Sequence, residues 1–276
     1  MRTFHTIIGM PGSGKTTFLA ALWHLITSAE LDPALLLDRL EGDAHYLNTI
    51  VEVWQRCERL PRTSRAEQNA IVLYLKDIET GGPITLNFTD LSGETFHTQF
   101  ATRFCTSKYL AGLNGEGGIL LFVNADRPLQ AVTIMDAKDL LGDGPAEEQG
   151  VEWSPDFVSE QAQLVDLLQC LKREPFTDRT RRLAVIVSAW DVVTNYASPE
   201  AWLQREMPLL AQFLNTNLDS FVTQLYGVSA QGGNVESEKT ELLGQIPSKR
   251  IRCVTPTSDS PDITLPLRWL SGLYHA

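Results

Sequence analysis

A chain of 276 residues, 43% hydrophobic and 21% charged, can bury a full core as one large domain or two small ones. Its net charge of −11 is the wrong sign for wrapping nucleic acid or lying on an acidic membrane surface, so neither partner is expected. Cys57, Cys105, Cys170 and Cys253 are far apart with no C-x-x-C pair, which argues against a disulfide frame or zinc site and predicts reduced thiols in a cytoplasmic protein.

In chain order, a strand from about Thr3 through Phe4, Thr6, Ile7 and Ile8 leaves no room for a signal peptide. It runs into Gly9-Met10-Pro11-Gly12-Ser13-Gly14-Lys15-Thr16, which reads G-x-x-x-x-G-K-T. The glycines let consecutive backbone N–H groups turn inward as an anion nest. Lys15 would reach β- and γ-phosphates, and the Thr16 hydroxyl would ligate Mg²⁺. The helix that follows, with Phe18, Leu22 and Leu25 at helical spacing, sets its positive end beneath the phosphates. The expected phosphate cradle is Gly9, Pro11, Gly12, Ser13, Gly14, Lys15, Thr16 and Thr17.

From Ser28 to Asn69 there is no strand-like run, and this segment, 28–69, reads as a helical insertion. Within it Asp43 can cap a helix carrying Leu47, Ile50, Val51, Trp54, Cys57 and Leu60 on one face, ending at Pro61. The polar run Arg62 to Asn69 follows. Ile71–Leu75 and the alternating Ile84–Asp90 are strands joined through Gly81-Gly82-Pro83 as an antiparallel hairpin. A helix with Phe96, Phe100 and Phe104 four apart should stop near Gly112.

Ile119–Val123 reads as a strand covered on both faces, and 126–153 as irregular. Ser154-Pro155 opens a helix through Leu164, Leu167, Leu168 and Leu171. Next come a buried strand, Leu183–Val187, a helix from about Pro199 to Leu214, and a last core strand, Gln224–Ser229. Residues 231–261 form a loop-rich insertion with one strand expected at Ile251–Val254, and a helix from Leu265 to Leu273 closes the chain. Alternating strands and helices predict one α/β domain over 1–276: a mostly parallel sheet with one antiparallel edge strand and helices on both faces. Ligands of such sheets lie outside the carboxyl ends of the strands.

Three further strand ends carry candidate chemistry. Asp90-x-x-Gly93 follows the second hairpin strand, where Asp90 would bind Mg²⁺ through water and the Gly93 N–H would contact a γ-phosphate. Helix capping is the competing role for Asp90. Ser188-Ala189-Trp190-Asp191 and Gly227-Val228-Ser229-Ala230 follow the last two core strands.

In this order the four stretches resemble a TRAFAC-class, Ras-like P-loop GTPase, over Thr3 to about Ala230 plus the final helix. The resemblance implies GTP and GDP as ligands, Mg²⁺ as cofactor, slow hydrolysis of GTP, and loops that switch partner proteins. It implies that Asp191 binds guanine N1–H and N2–H, and that the stretch holding Ser229 and Ala230 meets the base, with the Ala230 backbone at O6. Two positions depart from the pattern. The family's base-stacking Lys is Ala189, where Trp190 offers an aromatic surface or simply packs. The family's water-orienting Gln is Glu94, a carboxylate that would accept a proton from water or else favour a helix N-terminus. The resemblance also implies a first-switch Thr on Mg²⁺, here Thr63 with Ser64 close behind. Arg62 would neutralise transition-state charge, with Arg59 and Arg65 as competitors.

The long first-switch region, Asp90-Leu91-Ser92-Gly93-Glu94 and the closing Asp262 to Leu270 are similar to the bacterial double-GTPase group of conflict systems directed at phage. That implies a GTP-controlled component acting through protein partners. The alternatives are an ATP-using P-loop enzyme and a nucleotide-stabilised scaffold without turnover. Val123 is followed by Asn124 and Asp90 by Leu91, so the Asp-Glu strand end of motor ATPases is missing.

Overall fold

The computed structural model describes residues 3–60, 71–88, 94–126 and 154–273. The chain begins with β1 (Thr3–Gly9), α1 (Lys15–Thr27), β2 (Leu35–Glu41), α2 (Ala44–Gln55), β3 (Ile71–Asp77) and β4 (Pro83–Phe88). α3 (Glu94–Thr102), α4 (Ser107–Asn114), β5 (Ile119–Asn124), α5 (Glu160–Cys170), β6 (Arg181–Ser188), α6 (Pro199–Glu206) and α7 (Pro208–Thr216) follow. The last part holds β7 (Phe221–Ser229), α8 (Lys239–Leu243), α9 (Pro247–Arg250), β8 (Arg252–Val254), β9 (Asp259–Ser260) and α10 (Leu265–Leu270).

The described strands form one sheet in the order β2-β3-β4-β1-β5-β6-β7-β8-β9. Its centre, β4-β1-β5-β6-β7, is parallel. Both margins are antiparallel, through β2-β3-β4 on one side and β7-β8-β9 on the other. One antiparallel edge strand was expected; the second margin arises because the 231–261 insertion folds back as the β8–β9 hairpin.

Side-chain alternation splits the core into two layers. Ile7, Leu120, Phe122, Ala184, Ile186, Tyr226 and Val228 face α1, α2 and α10. Ile8, Leu121, Val123, Val185 and Val187 face α5, α6 and α7. β5 and β6, at the middle of the sheet, are apolar on both faces for this reason, as parallel strands between helices require.

Five elements differ from expectation, each for a local reason. The segment from Ser28 to Asn69 contains a strand, β2. A bulge between Leu37 and Arg39 makes its inward residues Leu35, Leu37 and Leu40, a spacing that does not alternate. α2 is capped by Asp43 as expected, its carboxylate accepting from His45 N–H and Tyr46 N–H, but it ends at Gln55 rather than Pro61. Cys57, at φ 51°, sits where a Schellman motif places its left-handed residue. Glu58 N–H donates to Val53 O (3.2 Å) and Cys57 N–H to Trp54 O (3.0 Å). The Phe96–Phe100–Phe104 helix breaks into α3 and α4 at Arg103, φ 63°, and leaves Phe104 80% exposed. Residues 155–157 form a 3-10 turn, and α5 starts after its own cap, Ser159. Met207-Pro208 divides the expected 199–214 helix into α6 and α7, since a proline within a helix removes a donor.

β1 is pinned at its far side by a neutral histidine. His5 is fully buried; its Nδ1 accepts from Gly118 N–H (2.9 Å), so Nε2–H donates to Ser271 Oγ (2.7 Å) just beyond α10. Burial lowers its pKa from 6.5 to about 3. Between those values the unfolded chain takes up a proton that the folded chain refuses. The His5 contribution to stability is therefore complete above pH 6.5 and is lost as pH falls toward 3, at about 1.4 kcal/mol per pH unit. Denaturant melts from pH 7 to 4 should show this slope, and His5→Gln should reduce it by about one proton's worth.

Candidate functional site

The parallel strands deliver four loops to one edge of the sheet. Gly9 ends β1 beside Phe122 of β5, Asn124 pairs with Ser188, and Ser188 pairs with Val228, one residue before the end of β7. Ile71, where the described chain re-enters the sheet, pairs with Phe88 at the same edge.

The loop from Gly9 to Gly14 has the backbone of an anion nest. Gly12 and Gly14 adopt φ 74° and 89°, and no side chain caps the N-terminus of α1. Lys15 is 2% exposed and curls over its own loop. Its ammonium donates to Gly9 O (2.8 Å), Met10 O (2.9 Å) and Ser13 Oγ (3.3 Å). Ser13 is buried, whereas Pro11 and Gly12 are exposed at the rim and Thr16 and Thr17 are half-buried on the first turn of α1.

Two neighbouring strand ends grip this loop. Ser188 Oγ lies 2.9 Å from Ser13 O and 3.1 Å from Val123 O, and its single proton serves one at a time. Asn124 Nδ2–H donates to Gly12 O (2.9 Å). A Cβ on Gly14 would sit 2.7 Å from Ser188 Oγ, so glycine is needed there for space as well as for its positive φ. Ser188 and Asn124 were not among the expected site residues. Their position as the last residues of β6 and β5, at the sheet edge where the P-loop also lies, was the available signal.

The residues expected at the base converge. Ser229 Oγ–H donates to Asp191 Oδ1 (2.6 Å), and Gly232 N–H donates to Ser229 Oγ (3.0 Å). Ala189, which precedes the turn holding Asp191, is left-handed at φ 54°, an uncommon state for a residue with a Cβ. Trp190 is 7% exposed within the α5–α7 core layer, and a Cβ on Gly227 would lie 2.5 Å from its ring. Its ring packs; of the two roles open in the sequence, core filling is the one seen. The Ala230 carbonyl accepts from Trp54 Nε1–H of α2 (2.9 Å), and Gln231 Nε2–H returns a bond to Trp54 O (3.2 Å). The helix before the expected first switch is thus tied to the loop expected to meet the base, a tie that helical periodicity alone could not reveal.

Arg62, Thr63, Ser64, Arg65, Asp90 and Gly93 lie outside the described residues. Glu94 opens α3, and its side chain is likewise outside the description. Arg59, a competitor for the finger role, pairs with Glu236 at 2.8 Å. Among the described residues no group of three or more His, Cys, Asp or Glu could hold a metal. The Thr16 hydroxyl nevertheless suits Mg²⁺, which takes one or two protein oxygens and completes its shell with water and phosphate. No helix among the described residues is long and apolar enough to cross a membrane.

Comparison with known proteins gives the family. The model of DO-GTPase1, Double-GTPase 1, matches residues 6–270, and the chain belongs to that family. No curated protein matches significantly. Among solved structures, the chain is similar to the S. cerevisiae Ski7 GTPase-like domain bound to GTP, at 11% identity and TM-score 0.42, over 84% of this chain and 44% of that one. It is also similar to sup35 complexed with GDP, at 12% identity and TM-score 0.36, over 84% and 38%. The chain spans less than half the length of these two structures.

The grip on the P-loop is testable. Ser188→Ala leaves a buried carbonyl short of a donor, which costs on the order of 1–3 kcal/mol. Urea denaturation should show that loss without a change in m-value.

Proposed function

We propose that this member of the Double-GTPase 1 family is a GTP-binding molecular switch, a single Ras-like domain with insertions that hydrolyses GTP to GDP slowly and acts through protein partners. The observation that carries the reading is the meeting at one sheet edge of a glycine nest topped by Lys15 and a carboxylate, Asp191, fixed by Ser229. A cation over inward-facing amides suits polyphosphate. A positioned carboxylate suits the paired N–H groups of guanine, whereas adenine offers no N1 hydrogen there.

In this reading Gly9, Pro11, Gly12, Ser13, Gly14, Lys15, Thr16 and Thr17 cradle the phosphates. Lys15 gives up acceptors on its own loop for β- and γ-phosphate oxygens, which carry full charge where the carbonyls carry partial charge. Thr16, Thr63 and Asp90 would hold Mg²⁺, which when bound neutralises charge on the phosphates. Glu94 accepts a proton from the attacking water, Gly93 N–H holds the γ-phosphate, and Arg62 offsets charge that develops in the transition state. Asp191 reads the base edge, with Ser229 fixing one of its oxygens and the Ala230 backbone at O6. The switch segments, Arg62 to Asn69 and Gly93 to Phe104, then respond to the γ-phosphate, and partners read their state. The resemblance supports a role for such a switch in a bacterial system directed at phage, in the cytoplasm.

Three measurements test this. GTP with Mg²⁺ at about 100 Kd should add roughly 2.7 kcal/mol of stability, a rise of roughly 5 °C in melting temperature, and Lys15→Ala should lose most of it. Equal rises in both proteins would remove the phosphate assignment. Asp191→Asn should lose GTP and gain xanthosine triphosphate in competition binding, because an amide donates where the carboxylate accepts. Unchanged preference would move base reading elsewhere. For turnover, Glu94→Ala should lower single-turnover hydrolysis about ten- to a hundredfold with GTP affinity nearly intact. Normal hydrolysis would assign the water to another group.

A further inference from the structure

The loop after β6 brings no cation to the base side: Ala189 offers only a methyl group. The sheet brings one from the opposite direction. β8 runs antiparallel to β7 with Arg252 opposite Ser229, the residue bonded to Asp191. Directly paired residues project on the same face with Cβ atoms about 5 Å apart. The neighbouring pair, Cys253 opposite Val228, faces the other core layer, as alternation requires. Arg252 therefore rises on the Asp191 side of the sheet, at its carboxyl edge.

The guanidinium is held in one plane. Arg252 Nε–H donates to Asp259 Oδ1 (3.2 Å) and an Nη2 hydrogen to Asp259 Oδ2 (2.5 Å), a two-pronged grip from β9. The side chain is 52% exposed, so a face of that plane is open. The bond to Asp259 raises the Arg252 pKa, and the negative charges of Asp259 and Asp191 add to the shift.

We propose that Arg252 is a base-binding residue, laying its guanidinium against the face of the nucleobase whose edge bonds Asp191. The inference rests on the guanine-nucleotide reading of the same site and deepens it. A planar, weakly hydrated guanidinium stacks on aromatic faces where a methyl cannot. Asp259 supplies the orientation, and the β8–β9 hairpin becomes one wall of the base slot. Asp191 selects by hydrogen bonding at the base edge; Arg252 adds affinity through the ring face and does not discriminate among purine edges.

Titration with fluorescent GDP, and displacement of that probe by unlabelled GDP and inosine diphosphate, test the proposal in wild type, Arg252→Ala and Arg252→Lys. Arg252→Ala should bind both diphosphates about five- to tenfold more weakly, by the same factor for each, because a stacking contact ignores the exocyclic amine. Arg252→Lys, which keeps the charge without the plane, should fall between alanine and wild type. The melting temperature without nucleotide should stay unchanged, since an exposed ion pair adds little to stability. A wild type that binds GDP together with an Arg252→Ala variant within twofold of it overturns the proposal and leaves the guanine-nucleotide reading in place. Equal binding by Arg252→Lys and wild type overturns the stacking contact. A wild type that binds neither diphosphate removes the guanine-nucleotide reading, and the assignment of Arg252 with it.

Discussion

The Ser188 hydroxyl sits between Ser13 O and Val123 O, with the missing Cβ of Gly14 leaving the room. That contact fixes the P-loop to the ends of β5 and β6 in one step. Ser188 also continues directly into Ala189 and Asp191, so the frame that shapes the P-loop leads into the loop proposed to read the base. Replacing Gly14 would drive a methyl into Ser188 and force an L-residue to φ 89° together. The neighbouring Asn124 bond to Gly12 O holds the loop from a second point. Because β1, β5, β6 and β7 are parallel and adjacent, all these groups share one edge without long connections.

A second tie crosses the other core layer. Trp54, fully buried on α2, donates to Ala230 O, and the Arg250 guanidinium lies 4.8 Å from the Trp54 ring centroid while donating to Cys57 Sγ. Arg59 to Glu236 and Lys239 to Glu58 add exposed ion pairs across the same seam. The buried bond carries most of the weight, since exposed pairs contribute about 0–1 kcal/mol. Displacing Ala230 from α2 would strand a buried carbonyl, at a cost on the order of 1–3 kcal/mol. These bonds therefore hold the end of α2 against the loop after β7.

The sequence made the P-loop legible because its glycines, lysine and threonine are each required by phosphate chemistry at fixed spacing. β5 and β6 were legible for a different reason: each is apolar on both faces. What periodicity missed was set by contacts distant in sequence or by single backbone turns. β2 hid behind a bulge that broke its alternation, and α2 was read five residues too long because Cys57 does the work usually left to glycine. Phe104 kept helical spacing with Phe100 yet lies beyond the Arg103 turn. Asp191 and Ser229 stood out as strand-end residues and the structure brings them together, whereas the packing of Trp190 shows only once Gly227 is seen beneath its ring. Arg252 lies in a segment with no motif, and only strand pairing brings it to Ser229.

The central claim is that one edge of this sheet binds a guanine nucleotide through Lys15 at the phosphates and Asp191 at the base. Competition of GTP against ATP for the wild-type protein, in the presence of Mg²⁺, tests it most directly. A site that reads guanine N–H groups through one carboxylate, with alanine at position 189, should prefer GTP by about 10²–10³. Equal affinity for the two nucleotides would contradict the account and leave an ATP-using P-loop protein in its place.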